Sequence, residues 1–149
     1  MRLLEQAGIA YRSITYVVDE ADLSGIHVAR SLGQDPDCVF KTLVLKGDRS
    51  GYLVLCIPVV ETVDLKKAAK AAGEKKVEMI PMKDLLPVTG YVRGGCSPIG
   101  LKKRFPVYIE ETAILYEEIA VSAGVRGIQL LLNPEDLCRF ISGNFAALI

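Results

Sequence analysis

Between residues 90 and 100 the chain reads Gly90-Tyr91-Val92-Arg93-Gly94-Gly95-Cys96-Ser97-Pro98-Ile99-Gly100, four glycines and a proline in eleven residues. No helix or ordinary strand crosses such a stretch. Glycine loses the most backbone freedom when it is fixed in a regular element, and Pro98 locks its own φ and pushes Ser97 toward an extended conformation. The segment must be a loop, and the rest of the fold is built on either side of it. Glycine also lets the backbone take positive φ and come close to a ligand. The glycines alone leave two readings open: a structural turn, or a cradle presenting backbone N–H groups.

The charge around this loop bears on the choice. The chain is neutral overall, with 18 basic and 18 acidic residues. Between Lys66 and Arg104, however, ten cations face only Glu74, Glu78 and Asp84, a surplus of seven positive charges that the rest of the chain balances. The cations include Lys66, Lys67 and Lys70 before the loop, Arg93 within it, and Lys102, Lys103 and Arg104 after it. Such segregation suits a polyanion landing on one face; the bland alternative is a solvated helix face and a solvated turn.

At 149 residues the chain is expected to form one domain, folding to bury about 70% of the surface its unfolded state exposes. Half its residues are apolar, as in an ordinary globule, and no apolar run approaches a membrane span. The opening Met1-Arg2-Leu3-Leu4-Glu5-Gln6 does not read as a secretion signal, which leads to the expectation of a cytoplasmic protein with reduced thiols. Cys38, Cys56, Cys96 and Cys138 are widely spaced, and His27 is the only histidine, so no metal site is expected. A Cys–His nucleophile pair requires His27 to fold against a cysteine.

Local patterns give the elements. Arg2 to Gly8 reads as a short helix and Tyr11 to Val18 as a strand. After the acidic turn Asp19–Asp22, Ser24 caps a helix that runs through Leu32 and stops at Gly33. Asp35-Pro36-Asp37 is a turn. Val39 to Lys46 and Tyr52 to Val60 are strands joined by the turn Gly47–Gly51. In the first of them Lys41 lies on the same face as Val39, Leu43 and Leu45, a departure from pattern that calls for a reason. Asp64 caps a helix over Leu65–Ala72 that ends at Gly73. Lys76–Ile80 is a strand, and Met82–Leu86 is a helical turn that stops before Pro87. Val107–Glu110, Ile119–Ser122 and Ile128–Leu132 are strands, the last two separated by a turn at Gly124–Gly127. Asn133 caps a final helix with Pro134 at its first position. Six or seven strands among four or five helices give a mixed α/β (α+β) domain. The hairpin, and the absence of GxGxxG and GxxxxGK[ST], argue against a doubly wound sheet and nucleotide hydrolysis.

Taken together, several segments resemble a known family: Phe40-Lys41-Thr42-Leu43, Leu65-Lys66-Lys67-Ala68-Ala69, Lys76-Val77-Glu78-Met79, Thr89-Gly90-Tyr91, Gly94-Gly95-Cys96-Ser97-Pro98-Ile99-Gly100, Arg126-Gly127 and Pro134-Glu135-Asp136-Leu137. This set is similar to the YbaK-type Cys-tRNA(Pro) deacylases, which belong to the trans-editing domains related to the editing insertion of prolyl-tRNA synthetases. The resemblance implies a single editing domain over residues 1–149 with a curled, mostly antiparallel mixed sheet flanked by helices. It implies an enzyme that clears mischarged cysteine from proline tRNA, with no cofactor and no metal. Its partners would be the acceptor end of mischarged tRNA and prolyl-tRNA synthetase. The family's key lysine falls on Lys41, with Thr42 beside it; its strand tyrosine falls on Tyr16, and the first glycine of its pair on Gly94. The family often carries an aromatic residue near Leu23–Ser24, and this chain does not. Deacylation of another small amino acid, or tRNA-end binding without turnover, are the competing expectations.

The chemistry agrees with that role. Cleaving an aminoacyl ester passes through an oxyanion, and backbone N–H groups at Gly94, Gly95 and Cys96 are expected to face it. Lys41 is expected to hold a terminal phosphate or offset the developing charge; the alternative is a lysine snorkelling at a sheet edge. Cys96 sits near cations, which would lower a thiol pKa. No base accompanies it, and the resemblance implies that the substrate's own thiol is the nucleophile, so Cys96 reads as a small pocket side chain. Tyr16, Thr42 and Ser97 are candidate positioning hydroxyls, or simply satisfied structural ones. Lys66, Lys67, Arg93, Lys102, Lys103 and Arg104 are the expected tRNA contacts.

Overall fold

The structure is a computed structural model that describes residues 2–19, 21, 24–49 and 51–149. Parts of three expected features, the acidic turn at Glu20 and Asp22, the position of Leu23, and Ser50 in the hairpin turn, lie outside the described residues.

The expected hairpin is the centre of the fold. Strand β2 (Phe40–Gly47) pairs antiparallel with β3 (Tyr52–Pro58), from Phe40↔Pro58 to Lys46↔Tyr52, and the Gly47 N–H closes the turn on the Gly51 carbonyl at 2.8 Å. The apolar composition of β3 lets it be covered on both faces, so it lies inside a five-stranded sheet ordered β4-β2-β3-β5-β8. Here β4 is Val77–Met79, β5 is Val107–Glu110 and β8 is Asn144–Ala146. The β3–β5 and β5–β8 pairings are parallel and the others antiparallel. A second, antiparallel sheet is ordered β1-β7-β6, from Arg12–Thr15 (β1), Ile119–Ser122 (β6) and Ile128–Leu132 (β7). The two sheets meet at a parallel bridge between Val39 and Ala120. This is the mixed, mostly antiparallel α+β architecture expected, and its curl is the passage from one sheet to the other.

Local chemistry sets the helix ends. Helix α2 (Gly25–Leu32) starts where Ser24 Oγ accepts the His27 N–H at 3.2 Å. Helix α3 (Leu65–Ala72) starts where Asp64 accepts from Lys66 and Lys67 N–H at 3.0 and 3.1 Å, and α5 (Pro134–Phe140) where Asn133 accepts from Glu135 and Asp136 N–H. Each such cap contributes about 1 kcal/mol. The other helices are α1 (Arg2–Gln6) and α4 (Leu85–Thr89). Helix α4 runs through Pro87 instead of stopping before it. Pro87 lies in the first turn, where its missing N–H would have had no intrahelical acceptor. Strand β8 and a 3₁₀ turn at Glu111–Leu115 were not expected from the sequence.

Alternation along the hairpin divides the core. Phe40, Val44, Val54 and Cys56 pack toward β5, β6 and β7 and toward Cys96 and Ile99 of the glycine loop. Leu45, Leu53, Leu55 and Ile57 pack on the other face with Ala68 and Ala69 of α3. Strand β4 pairs with β2 only from Leu45 to Gly47, and the Ile80 N–H reaches the Val44 carbonyl at 3.3 Å. Beyond that point β4 turns away, leaving the Phe40–Leu43 edge of β2 open beside the loop.

Candidate active site

The opening at the edge of β2 is a cavity of about 410 Å³, within the range of small-ligand sites. Phe40 to Val44 form one wall, Met79, Ile80, Pro81, Met82 and Leu85 a second, and Arg93, Gly94 and Cys96 of the loop a third. Ser24, Ile26 and Val28 come from the start of α2, and Ser122 and Gln129 from the paired strands β6 and β7. Lys41 and Arg93 are the cations of the lining, which contains no Asp or Glu among the described residues.

Lys41, the residue that breaks the apolar pattern of its strand, is part of the cavity lining. It is partly buried, and desolvation lowers its pKa from the ordinary lysine value. Thr42 lines the same wall, its Oγ1 3.9 Å from Cys56 Sγ. Backbone direction repeats every two residues along a strand. Val44 turns its carbonyl toward Ile80, so Thr42 turns its own N–H and C=O toward the open edge.

The loop is a pinned structure. Thr89 Oγ1 donates to the Leu85 carbonyl at 2.7 Å and accepts the Tyr91 N–H at 3.0 Å. The Lys102 N–H returns to the Thr89 carbonyl at 3.0 Å, and Tyr91 Oη donates to the Ile99 carbonyl. A turn closes within it, from the Gly95 N–H to the Val92 carbonyl at 3.0 Å, with Gly94 at φ 82°. This positive φ is where glycine is required. A Cβ on Gly95 would lie 3.4 Å from the Arg126 backbone nitrogen, so that glycine serves close packing against the turn after β6.

These contacts correct part of the expected donor set. The Gly95 N–H closes the turn and does not face an oxyanion. The N–H groups of Gly94 and Cys96 have no partner in the hydrogen bonds found among the described residues. Ser97 is also set apart: it is buried, and its Oγ accepts the Ile99 N–H at 3.2 Å, outside the cavity lining. Cys96 does line the cavity, but burial raises its thiol pKa to about 11, the opposite of the expected effect of nearby cations. Tyr16 lines a small crevice with His27, Gly94 and Arg126, next to the main cavity and sharing Gly94 and Val28 with it. The His27 ring meets Ser31 Oγ at 3.4 Å and is not part of the lining that includes Cys96.

The expected tRNA contacts are divided. Arg93 lies at the cavity, and Lys102, Lys103 and Arg104 are exposed where the loop ends. Lys66 and Lys67 ride on α3, which packs on Leu45, Leu53, Leu55 and Ile57 of the hairpin and is not part of the cavity lining, and Lys67 Nζ donates to the Ile149 carbonyl at 2.5 Å. Ser122, Gln129 and the Met79–Met82 wall were not anticipated. Gln129 had a visible signal as the lone polar residue of Ile128–Leu132; the wall had none, because its side chains are ordinary apolar ones. Among the described residues no three His, Cys, Asp or Glu side chains group as a metal site, and no helix is long and apolar enough to cross a membrane.

The chain has relatives among known proteins. The family model described as "Aminoacyl-tRNA editing domain" matches residues 24–140, which carry every wall of the cavity. The chain is 49% identical over 146 residues to the Enterococcus faecalis (strain ATCC 700802 / V583) protein named "Putative Cys-tRNA(Pro)/Cys-tRNA(Cys) deacylase EbsC", covering 98% of this chain and 89% of that one. A crystal structure of "a putative trans-editing enzyme for prolyl tRNA synthetase" superimposes with a TM-score of 0.82 at 21% identity, covering 99% of this chain and 92% of the other. A hypothetical protein of solved structure gives 0.89 at 18% identity over 99% and 96% of the two chains; at such identities the likeness is one of fold. The matched segment and the 49% identical relative show that the chain belongs to the aminoacyl-tRNA editing domain family.

Proposed function

We propose that the protein is a trans-editing deacylase that removes mischarged cysteine from Cys-tRNA(Pro), acting as one editing domain over its 149 residues. The observation that carries this reading is the convergence of Lys41, Thr42, Gly94 and Cys96 on one cavity with no carboxylate in its described lining. A cationic, anion-free pocket suits an ester whose cleavage develops negative charge, at the end of a strand of phosphates. The name of the 49% identical relative supports cysteine as the amino acid.

The proposed chemistry needs no protein nucleophile. The substrate's cysteine thiol attacks its own ester carbonyl, forming a C–S bond and a tetrahedral oxyanion. Collapse breaks the bond to the ribose oxygen, which takes up the proton lost by the thiol, and cysteine leaves as a cyclic thioester. Lys41 offsets the oxyanion or holds the terminal phosphate; the free N–H groups of Gly94 and Cys96 donate to the developing charge; Thr42 positions the acyl group. Tyr16 supports the loop from the adjoining crevice. Lys102, Lys103 and Arg104, with Arg93, bind tRNA phosphates. Prolyl-tRNA synthetase is the proposed docking partner and the cytoplasm the proposed location.

Turnover of Cys-, Ala- and Ser-tRNA(Pro) tests the assignment. Preference for the cysteinyl ester supports it. Preference for the alanyl ester would give the site to another small amino acid, and binding without turnover of any ester would make the chain a tRNA-end binder.

A further inference from the structure

In an antiparallel strand the N–H and C=O of one residue point to the same edge, and successive residues alternate between the two edges. Two bonds fix this alternation in β2. The Val59 N–H meets the Val39 carbonyl and the Gly47 N–H meets the Gly51 carbonyl, both at 2.8 Å. Lys41, Leu43 and Leu45, in step with these two, turn their main chain toward β3. Thr42 and Val44 turn theirs to the other edge, where the Val44 carbonyl accepts the Ile80 N–H at 3.3 Å. The next rung would join Thr42 to Met82. It does not form, because after Pro81 the chain coils into a 3₁₀ turn at Met82–Asp84. Among the described residues no hydrogen bond reaches the Thr42 N–H or C=O. Toward the start of β2 the chain is bridged again, from Val39 to Ala120 of β6. The sheet therefore has a gap beside Thr42.

The cavity lies in this gap. Phe40, Lys41, Thr42, Leu43 and Val44 all line it. Their side chains alternate between the two faces of the strand, so the cavity opens on the edge of β2 and not on one face. Ile80 and Met82 line it from the other side. A free N–H and C=O on one extended residue match the C=O and N–H of one added residue, as in the hydrogen-bonded pair of an antiparallel ladder. A single α-amino acid joined as an ester through its carboxyl group has that pattern: its ammonium donates and its carbonyl oxygen accepts.

We infer that Thr42 takes the aminoacyl group as an added strand residue, its C=O accepting from the α-ammonium group and its N–H donating to the ester carbonyl. The inference rests on the reading of the cavity as an aminoacyl-ester site. It adds the contacts that select an α-amino acid over other acyl groups, and it also selects handedness. Directly paired residues of a ladder place their side chains on the same face. An L-amino acid in this register directs its side chain to the face of Thr42, where Thr42 Oγ1 lies 3.9 Å from Cys56 Sγ and Phe40, Val44 and Cys96 pack. A D-amino acid making the same two bonds directs it to the opposite face.

Amide hydrogen exchange on the wild-type protein tests this without a variant. In the free protein the Thr42 N–H exchanges fast, while those of Lys41 and Leu43, turned toward β3, exchange slowly. Saturation with 3′-L-cysteinylamido-3′-deoxyadenosine makes Thr42 slow as well. The 3-mercaptopropionyl counterpart, which lacks only the amino group, binds about tenfold more weakly or worse, the effect of losing a hydrogen bond to a charged group. The D-cysteinyl form is also weaker than the L form. A Thr42 N–H that is already slow in the free protein, or that stays fast at saturation, would overturn the inference. So would failure of the L form to bind, or affinity for either counterpart equal to that for the L form. Turnover of Cys-tRNA(Pro) reads the parent assignment separately. Protection and discrimination with no ester cleaved leave the Thr42 contacts standing and remove the deacylase; cleavage with equal affinities removes the Thr42 contacts alone.

Discussion

Arg126 Nε donates to the Arg93 carbonyl at 2.7 Å. Through this contact the turn between β6 and β7 holds the glycine loop at the one place where the loop meets both the cavity and the crevice of Tyr16. The same side chain passes within 3.3 Å of where a Cβ on Gly94 would sit. The loop's backbone is thus aimed by a residue that does not line the main cavity.

Arg126→Ala is predicted to lower kcat for Cys-tRNA(Pro) about tenfold, with a smaller effect on KM, because the loop N–H groups lose their fixed direction. Stability falls by only about 1 kcal/mol, the ordinary net value of such a bond. Single-turnover kinetics and a melting curve check both halves.

Cys96 is predicted to be chemically quiet. Its thiol is pushed up to about 11 by burial, so thiolate is scarce near neutrality. Iodoacetamide at neutral pH leaves Cys96 unmodified in a mass spectrum, and Cys96→Ala has the same pH–rate profile as wild type. Rapid alkylation, or loss of an ionisation from the profile, would contradict this.

The sequence showed more of this site than of its surroundings, and the reasons are physical. Lys41 announced itself because an ammonium on an apolar strand face violates a two-residue period. Ser24, Asp64 and Asn133 announced helix starts because capping is decided by residues adjacent in the chain. Gly95 was misassigned as an oxyanion donor because its N–H partner, Val92, is chosen by the conformation of Gly94, which composition does not specify. Lys66 and Lys67 were grouped with Arg93 by charge along the chain, but Ala68 and Ala69 commit α3 to the other face of the hairpin. Strand β8 is three residues long and is made a strand only by its parallel pairing with β5.

Burial of Lys41 also predicts a pH dependence of stability. Its folded pKa lies below the ordinary 10.5, so between those two values the unfolded state binds more protons and stability rises with pH. Below the folded value the cost of the desolvated charge is carried in full. Lys41→Met removes that cost. Urea unfolding near neutrality should show the variant at least as stable as wild type, with the difference shrinking toward pH 10.5. A variant clearly less stable near neutrality would mean that the ammonium has a favourable partner.

Changing Lys102, Lys103 and Arg104 together to Ala is predicted to weaken tRNA binding and to flatten its salt dependence by roughly 2 in the slope of log K against log salt, at about 0.7 per phosphate contact on a single strand. Filter binding over a salt series measures both. The double variant of Lys66 and Lys67, which lie outside the cavity lining, should leave the slope unchanged.

Deacylation of labelled Cys-tRNA(Pro) by wild type, Lys41→Ala and Cys96→Ala tests the central claim most directly. The account predicts that Lys41→Ala loses at least about a hundredfold in rate, the scale of removing one oxyanion-stabilising group, while Cys96→Ala keeps most of the wild-type rate. Retained activity in Lys41→Ala with activity lost in Cys96→Ala would contradict it and make the cavity thiol the nucleophile.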